Sequence, residues 1–126
     1  MILGIGTDIV DERRIRSSIE RFGDRFLDRI FTDAERAAAD LRSEPGLHFA
    51  KRFAAKEAAV KALGTGIGNG ISWQHIEVRN NDLGAPELHF SGEFAAMCKN
   101  RGITRSVVSI SDEQHYAVAT VILESE

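Results

Sequence analysis

The amino-acid sequence predicts an α+β fold, an antiparallel sheet packed against a long central helix with shorter helices around it. Two observations predict it. From Phe49 to Leu63 the residues recur at about 100° per step, with Phe49, Phe53, Val60 and Leu63 on one stripe and Ala50, Ala54, Ala55, Ala58, Ala59 and Ala62 around the opposite side. No face of that helix is simply charged, so it is covered on both sides, and its alanines let a neighbouring backbone approach closely. The second observation is a set of stretches with strand character, most of them joined into hairpins by turn residues.

The first strand runs from Ile2 to Val10 and alternates Leu3, Ile5, Thr7 and Ile9 with Gly4, Gly6 and Asp8. Two glycines beside an aspartate clear one face for a closely approaching element or ligand. Asp8 fits equally well as the end of a strand, capping the next element. Asp11 to Phe31 reads as helical with a break near Gly23, burying Ile15, Ile19, Phe22, Phe26 and Ile30. Arg14, Ser18, Arg21 and Arg25 share an adjoining stripe, and because local acids nearly balance the arginines it reads as a solvated face with i,i+4 pairs. Thr32-Asp33-Ala34-Glu35 is a capping box that opens a helix toward Leu41, and Ser43-Glu44-Pro45-Gly46 breaks the chain before the central helix.

Beyond the central helix, Ser72–Arg79 and Pro86–Phe90 form a hairpin through Asn80-Asn81-Asp82-Leu83-Gly84, with Pro86 marking an edge position. A short helix starts at Ser91 or Gly92, passes through Phe94 and Met97 and ends at Gly102. Ser106–Ser111 and Tyr116–Leu123 form a second hairpin about Asp112 to His115. The last strand is apolar on both faces: one serves its own helices, and the other is read as covered by another subunit.

Composition narrows the function classes. The 126 residues are expected to form one domain, 1–126, with 43% apolar and 28% charged residues, as in a soluble globular protein. No apolar run approaches the ~18 residues of a membrane span, and MILGIGTDIV lacks the basic leader of a signal peptide. A net charge of −3 gives no reason to expect a nucleic-acid partner. The single cysteine, Cys98, excludes an internal disulfide and fits a reducing cytoplasm. His48, His75, His89 and His115 have no zinc-like spacing.

Chemistry concentrates around the central helix. Glu57 and Lys61 stand one turn apart at the seam between its two faces, an arrangement that alone reads as an i,i+4 ion pair of about 0.3 kcal/mol. Lys56 projects from within the aromatic stripe, where an ionised group needs a partner. Gly64 is placed as the residue ending the helix, and Thr65-Gly66-Ile67-Gly68-Asn69-Gly70 then alternates glycine with other residues, exposing backbone N–H groups to which a phosphate can come close. No Gly-Lys-Ser/Thr comes after it, and the loop succeeds a helix rather than a strand, so it is neither a Walker loop nor a dinucleotide fingerprint. A carboxylate, two lysines and this loop together read as a site for a metal ion and a polyphosphate.

Two segments, GIGTDIV and RFAAKEAAVKALGTGIG, closely resemble the bacterial holo-acyl-carrier-protein synthases of the 4′-phosphopantetheinyl transferase superfamily, and the order of elements and chain length agree from end to end. The resemblance implies transfer of 4′-phosphopantetheine from coenzyme A to a serine of apo acyl carrier protein, in support of fatty acid biosynthesis. It implies Asp8 and Glu57 as Mg2+ ligands and Lys61 on the pyrophosphate of coenzyme A. It further implies Arg52, Gly64, Thr65 and Gly66 on the nucleotide, Pro86 lining the nucleotide pocket, Arg14 facing the carrier protein, where the stripe would add Arg21 and Arg25 to the docking surface, and a homotrimer with sites between subunits. One match fails, since many members carry a His where this chain has Asp112, and a carboxylate there would repel a phosphate. Three other readings stay open: a metal-dependent hydrolase of a nucleotide pyrophosphate, a non-catalytic adaptor for acidic helical proteins, and a domain of a larger synthase.

Overall fold

A computed structural model describes residues 1–126. Strand β1 (Ile2–Asp11) leads into helices α1 (Glu12–Phe22), α2 (Asp24–Ile30), α3 (Asp33–Asp40) and the long α4 (Pro45–Leu63). Next come a one-turn 3-10 segment (Trp73–His75), strands β2 (Ile76–Asn80) and β3 (Pro86–Phe90), helix α5 (Gly92–Asn100), and strands β4 (Arg105–Glu113) and β5 (Tyr116–Glu124). The strands make two antiparallel sheets rather than one: β1-β5-β4 and, separately, the β2-β3 hairpin.

The glycines of β1 explain how α4 is seated. A Cβ at Gly4 would lie 2.0 Å from the carbonyl oxygen of Ala62, and one at Gly6 would lie 2.1 Å from that of Ala58. The glycine face of the strand therefore meets the alanine face of the helix backbone to backbone, with no side chain between them. Ala117, Ala119, Val121 and Leu123 of β5 are fully buried on the same side, and the small residues among them allow the same closeness. On its other side α4 meets aromatic residues: Phe31 and Phe49 rings lie 4.7 Å apart, and Phe53 and Trp73 lie 5.1 Å apart. The helix is thus covered on both sides, as its pattern requires.

The outward face of β1-β5-β4 is apolar as well. Ile5 and Ile9 are 65% and 66% exposed, with Leu3, Val107 and Val118 also open to solvent. Val121 belongs to the inner face and Ile122 to the outer one.

Several expected boundaries shift. Pro45 does not end a helix but occupies the first position of α4, where its missing N–H costs nothing, so Pro45-Gly46 starts the central helix instead of preceding it. The strand expected from Ser72 begins only at Ile76, because the Ser72 hydroxyl accepts from Gln74 N–H and folds the preceding residues into the 3-10 turn. Gly23, at φ 55, breaks the first helical stretch, so Arg25 stands on a different helix from Arg14 and Arg21. The Thr32 capping box forms with both of its hydrogen bonds. Asp112 and Glu113 continue β4 instead of turning.

Candidate active site

Each of the carboxylates picked out in the sequence is delivered by a rigid element. Asp8 comes two residues after Gly6 on the inner face of β1, and Glu57 precedes Ala58, the residue that Gly6 touches, so the β1–α4 contact brings the two acids to one place. They line one cleft together with Arg14, Ile15 and Ser18 of α1, Phe26 of α2 and Phe53 of α4. Partial burial and the negative charge of Asp8 raise the Glu57 pKa above the ordinary carboxylate value, with Lys61 opposing.

Lys61 does not turn back to Glu57. Its ammonium donates to the Asp8 carboxylate at 2.9 Å and to the Thr7 carbonyl at 3.1 Å, and the Asp8 hydrogen bond raises the Lys61 pKa. Tertiary pairing thus replaces the local i,i+4 pair and leaves Glu57 as the carboxylate without a cation on it. One turn beyond Lys61, Gly64 and Gly66 adopt φ of 84° and 72°, values that an L side chain rarely takes, and the loop is open to solvent around them.

Lys56 has the partner its position demanded. It is fully buried against an equally buried Glu35 at 2.7 Å, and it donates to the carbonyls of Trp73 at 3.0 Å and Ile76 at 2.5 Å. Glu35 in turn accepts from Thr32 N–H and Val78 N–H. Burial lowers the Lys56 pKa, with Glu35 opposing. The sequence showed Glu35 only as the far end of a capping box; its second role needed a fold that brings α3 onto α4.

The arginine stripe divides. All but one of the acids that nearly balance it in number are taken elsewhere, Asp11 by Arg13, Glu12 by Arg16, and Asp24 and Asp28 both by Arg36, leaving Glu20 unpaired. Arg14, Arg21 and Arg25 are exposed and form no ion pair within the chain. Arg21 lies over the ring of Phe22 at 5.2 Å. Of the three, Arg14 alone lines the Asp8–Glu57 cleft.

Arg52 and Pro86 do not join that cleft. They line a second, basic one with Arg42, His48 and Lys51, on the N-terminal half of α4. Five residues separate Arg52 from Glu57, which turns them roughly 140° apart around the helix. Asp112 pairs with Lys51 at 3.6 Å. Arg42 and His48 were not singled out in the sequence; the i,i+4 spacing of His48 and Arg52 was the signal available.

A family model for the 4′-phosphopantetheinyl transferase superfamily matches residues 4–121. The chain belongs to this superfamily. Among its relatives, the holo-[acyl-carrier-protein] synthase of Alteromonas mediterranea is 69% identical over 124 residues, covering 98% of each chain. The 4′-phosphopantetheinyl transferase fold is equally plain. The structure of holo-[acyl-carrier-protein] synthase from Neisseria meningitidis aligns with a TM-score of 0.92 at 40% identity, over 99% of this chain and 100% of that one. The Bacillus anthracis holo-(acyl-carrier-protein) synthase, in complex with CoA (3′,5′-ADP), aligns at 0.82 with 43% identity, over 100% and 99%.

Proposed function

We propose that this chain is a holo-[acyl-carrier-protein] synthase. It transfers 4′-phosphopantetheine from coenzyme A to a serine of apo acyl carrier protein and releases adenosine 3′,5′-bisphosphate. The observation that carries the reading is the convergence of Asp8 and Glu57 at one cleft, with Lys61 bonded to Asp8, the open glycine loop one turn away and an unpaired arginine on the rim.

The serine oxygen attacks the phosphorus that bears pantetheine, the bond to the bridging oxygen of the adenosine bisphosphate breaks, and the serine proton must be accepted nearby. Glu57, or a water it orients, is the acceptor. Lys61 is 51% exposed on its side chain and can transfer its hydrogen bonds from Asp8 to the departing oxygens.

The donor set fits magnesium. Two carboxylates on an open cleft, one of them held above its ordinary pKa by burial and the charge of the other, form a site that a hard divalent cation relieves. Asp8 and Glu57 would hold the ion, which would supply positive charge to the substrate phosphates during transfer.

The partner and assembly readings rest on surfaces. Arg14, Arg21 and Arg25, in no ion pair within the chain, would dock an acidic carrier protein, while Phe26, Phe53 and Ile15 give the cleft beside them an apolar wall. The exposed Leu3, Ile5, Ile9, Val107 and Val118 would be covered in a homotrimer. The nucleotide-facing Arg52 and Pro86 lie in a cleft that shares no residue with the Asp8–Glu57 cleft, as expected of a site completed across a subunit boundary. No helix is long and apolar enough to cross a membrane, and the reaction belongs with cytoplasmic fatty acid synthesis.

The test is to mix the protein with apo carrier protein, coenzyme A and Mg2+ and weigh the product. A gain of one phosphopantetheine, lost with Glu57→Gln, supports the reading. Coenzyme A consumed with no acceptor present would overturn it in favour of hydrolysis. Sedimentation at micromolar concentration tests the assembly: Ile122→Asp should dissociate it, whereas Val121→Asp, placed in the inner core, should unfold the chain.

A further inference from the structure

The glycine loop that follows α4 is held at both ends and open in the middle. The N–H groups of Gly64 and Thr65 turn back to the Val60 carbonyl, and Gly68 and Ile71 bond to each other. Between these two clamps the N–H groups of Gly66 and Ile67 have no partner in the chain. They are backbone donors left for a phosphate. Where they point depends on how the two ends of the loop are held, because its glycines supply no stiffness of their own.

Helix α5 touches both ends. Its first turn meets the far one, where a Cβ on Gly70 would lie 3.4 Å from Cγ of Glu93. Just past its last turn, Arg101 reaches the near one, and its guanidinium donates to the Leu63 carbonyl at 2.5 Å. Leu63 is the last residue of α4, so its carbonyl is among those that the helix cannot satisfy itself, and a cation there also opposes the negative end of the helix dipole. The helix between these contacts is a fixed bar of nine residues, about 13 Å long, anchored by buried Phe94 and Cys98. Arg101 is exposed, pairs with no acid, and makes its one side-chain hydrogen bond to Leu63. Its charge is committed to the root of the loop.

We propose that Arg101 is a positioning residue for the pyrophosphate of coenzyme A, acting through the Leu63–Gly64 end of the glycine loop. The inference rests on the transferase reading above, in which Lys61 and the loop take the pyrophosphate. Lys61 lies two residues before Leu63 on the same last turn, so the bond that fixes the Leu63 carbonyl also fixes the Lys61 backbone relative to Gly66 and Ile67. Without that bond the last turn frays, as helix ends do when their carbonyls lose a partner, and the donors for the pyrophosphate no longer converge. The rest of the machinery is held elsewhere. Asp8 stands on β1, Glu57 lies six residues before Leu63 in the part of α4 seated on β1, and Arg14 belongs to α1.

Calorimetric titration of Arg101→Met, with Mg2+ present and no carrier protein, tests the proposal. Affinity for coenzyme A should fall by roughly tenfold, while affinity for adenosine 3′,5′-bisphosphate, which lacks the pyrophosphate, should fall by less than about twofold. Arg101→Lys keeps a cation that can donate to the same carbonyl and should restore most of the coenzyme A affinity. In the transfer assay, Arg101→Met should raise KM for coenzyme A by the same factor and leave that for carrier protein unchanged. Unchanged affinity for coenzyme A overturns the proposal. Equal losses for the two ligands also overturn it, because Arg101 would then be a general prop of the fold. Failure of the wild type to modify carrier protein would instead refute the transferase reading and leave the binding comparison standing.

Discussion

Helix α4 carries three lysines, and the fold gives two of them, Lys56 and Lys61, opposite fates. Lys56 is fully buried, fixed by Glu35 and two carbonyls, and has no freedom to change partners. Lys61 is half exposed and holds Asp8 at the edge of an open cleft. Charge and side chain are identical, so solvent access alone separates a cation that fastens α3, α4 and the 3-10 turn together from one that can release its acid for a substrate. Loss of the buried pair leaves a charge that water cannot reach; loss of the exposed pair leaves one that water solvates.

The sharpest way to break this contrast is Lys56→Met. It should cost about 3–5 kcal/mol of stability in denaturant unfolding, because Glu35 is left buried and unpaired. Adding Glu35→Leu should recover part of that loss and no more, since Thr32 N–H and Val78 N–H lose their acceptor. An unfolding midpoint unmoved by Lys56→Met would show the pair to be dispensable.

Lys61→Ala should do the reverse. Turnover with saturating carrier protein should fall by roughly 10²–10³-fold, while stability changes by less than about 1 kcal/mol. Comparable losses of activity and stability would mean that Lys61, too, is structural.

Glu57→Gln sharpens the comparison through pH. The folded protein raises the Glu57 pKa above 4.5, so ionising it costs stability, and that cost is present above the folded pKa and absent below the unfolded one. The variant should therefore melt higher than the wild type at pH 7 without added magnesium. The advantage should vanish as the pH falls below about 4.5, even though the same substitution abolishes transfer. A variant less stable than wild type at pH 7 would indicate that Glu57 is held by favourable contacts.

The smallest effect concerns the unpaired arginines. Arg14→Ala should raise the Michaelis constant for carrier protein a few-fold and leave that for coenzyme A unchanged, with the difference shrinking as salt screens charges beyond ~8 Å. Loss of both affinities together would put Arg14 in the nucleotide site or the fold.

Much of this molecule was legible in the chain because it depends on local rules. The α4 periodicity, the alanine surface awaiting a backbone, the Gly4/Gly6 strand face and the Thr32 capping box all derive from spacing, and each formed. Asp8, Glu57 and Lys61 were legible as residues, and the β1–α4 glycine contact brings them together. Position along the chain could not give the partners. Lys61 passes over Glu57, four residues away, for Asp8, 53 residues away, because the strand lies against the helix there. Lys56 finds Glu35 across a helix interface, Arg16 and Arg36 take three of the acids near the arginine stripe, and His48 and Arg52 meet Arg42 in a cleft of their own. Backbone patterns and residue types were set by the sequence alone; which charge meets which, and which of those pairs water can reach, was decided by packing, because ion pairing depends on distance in space and on dielectric rather than on separation in sequence.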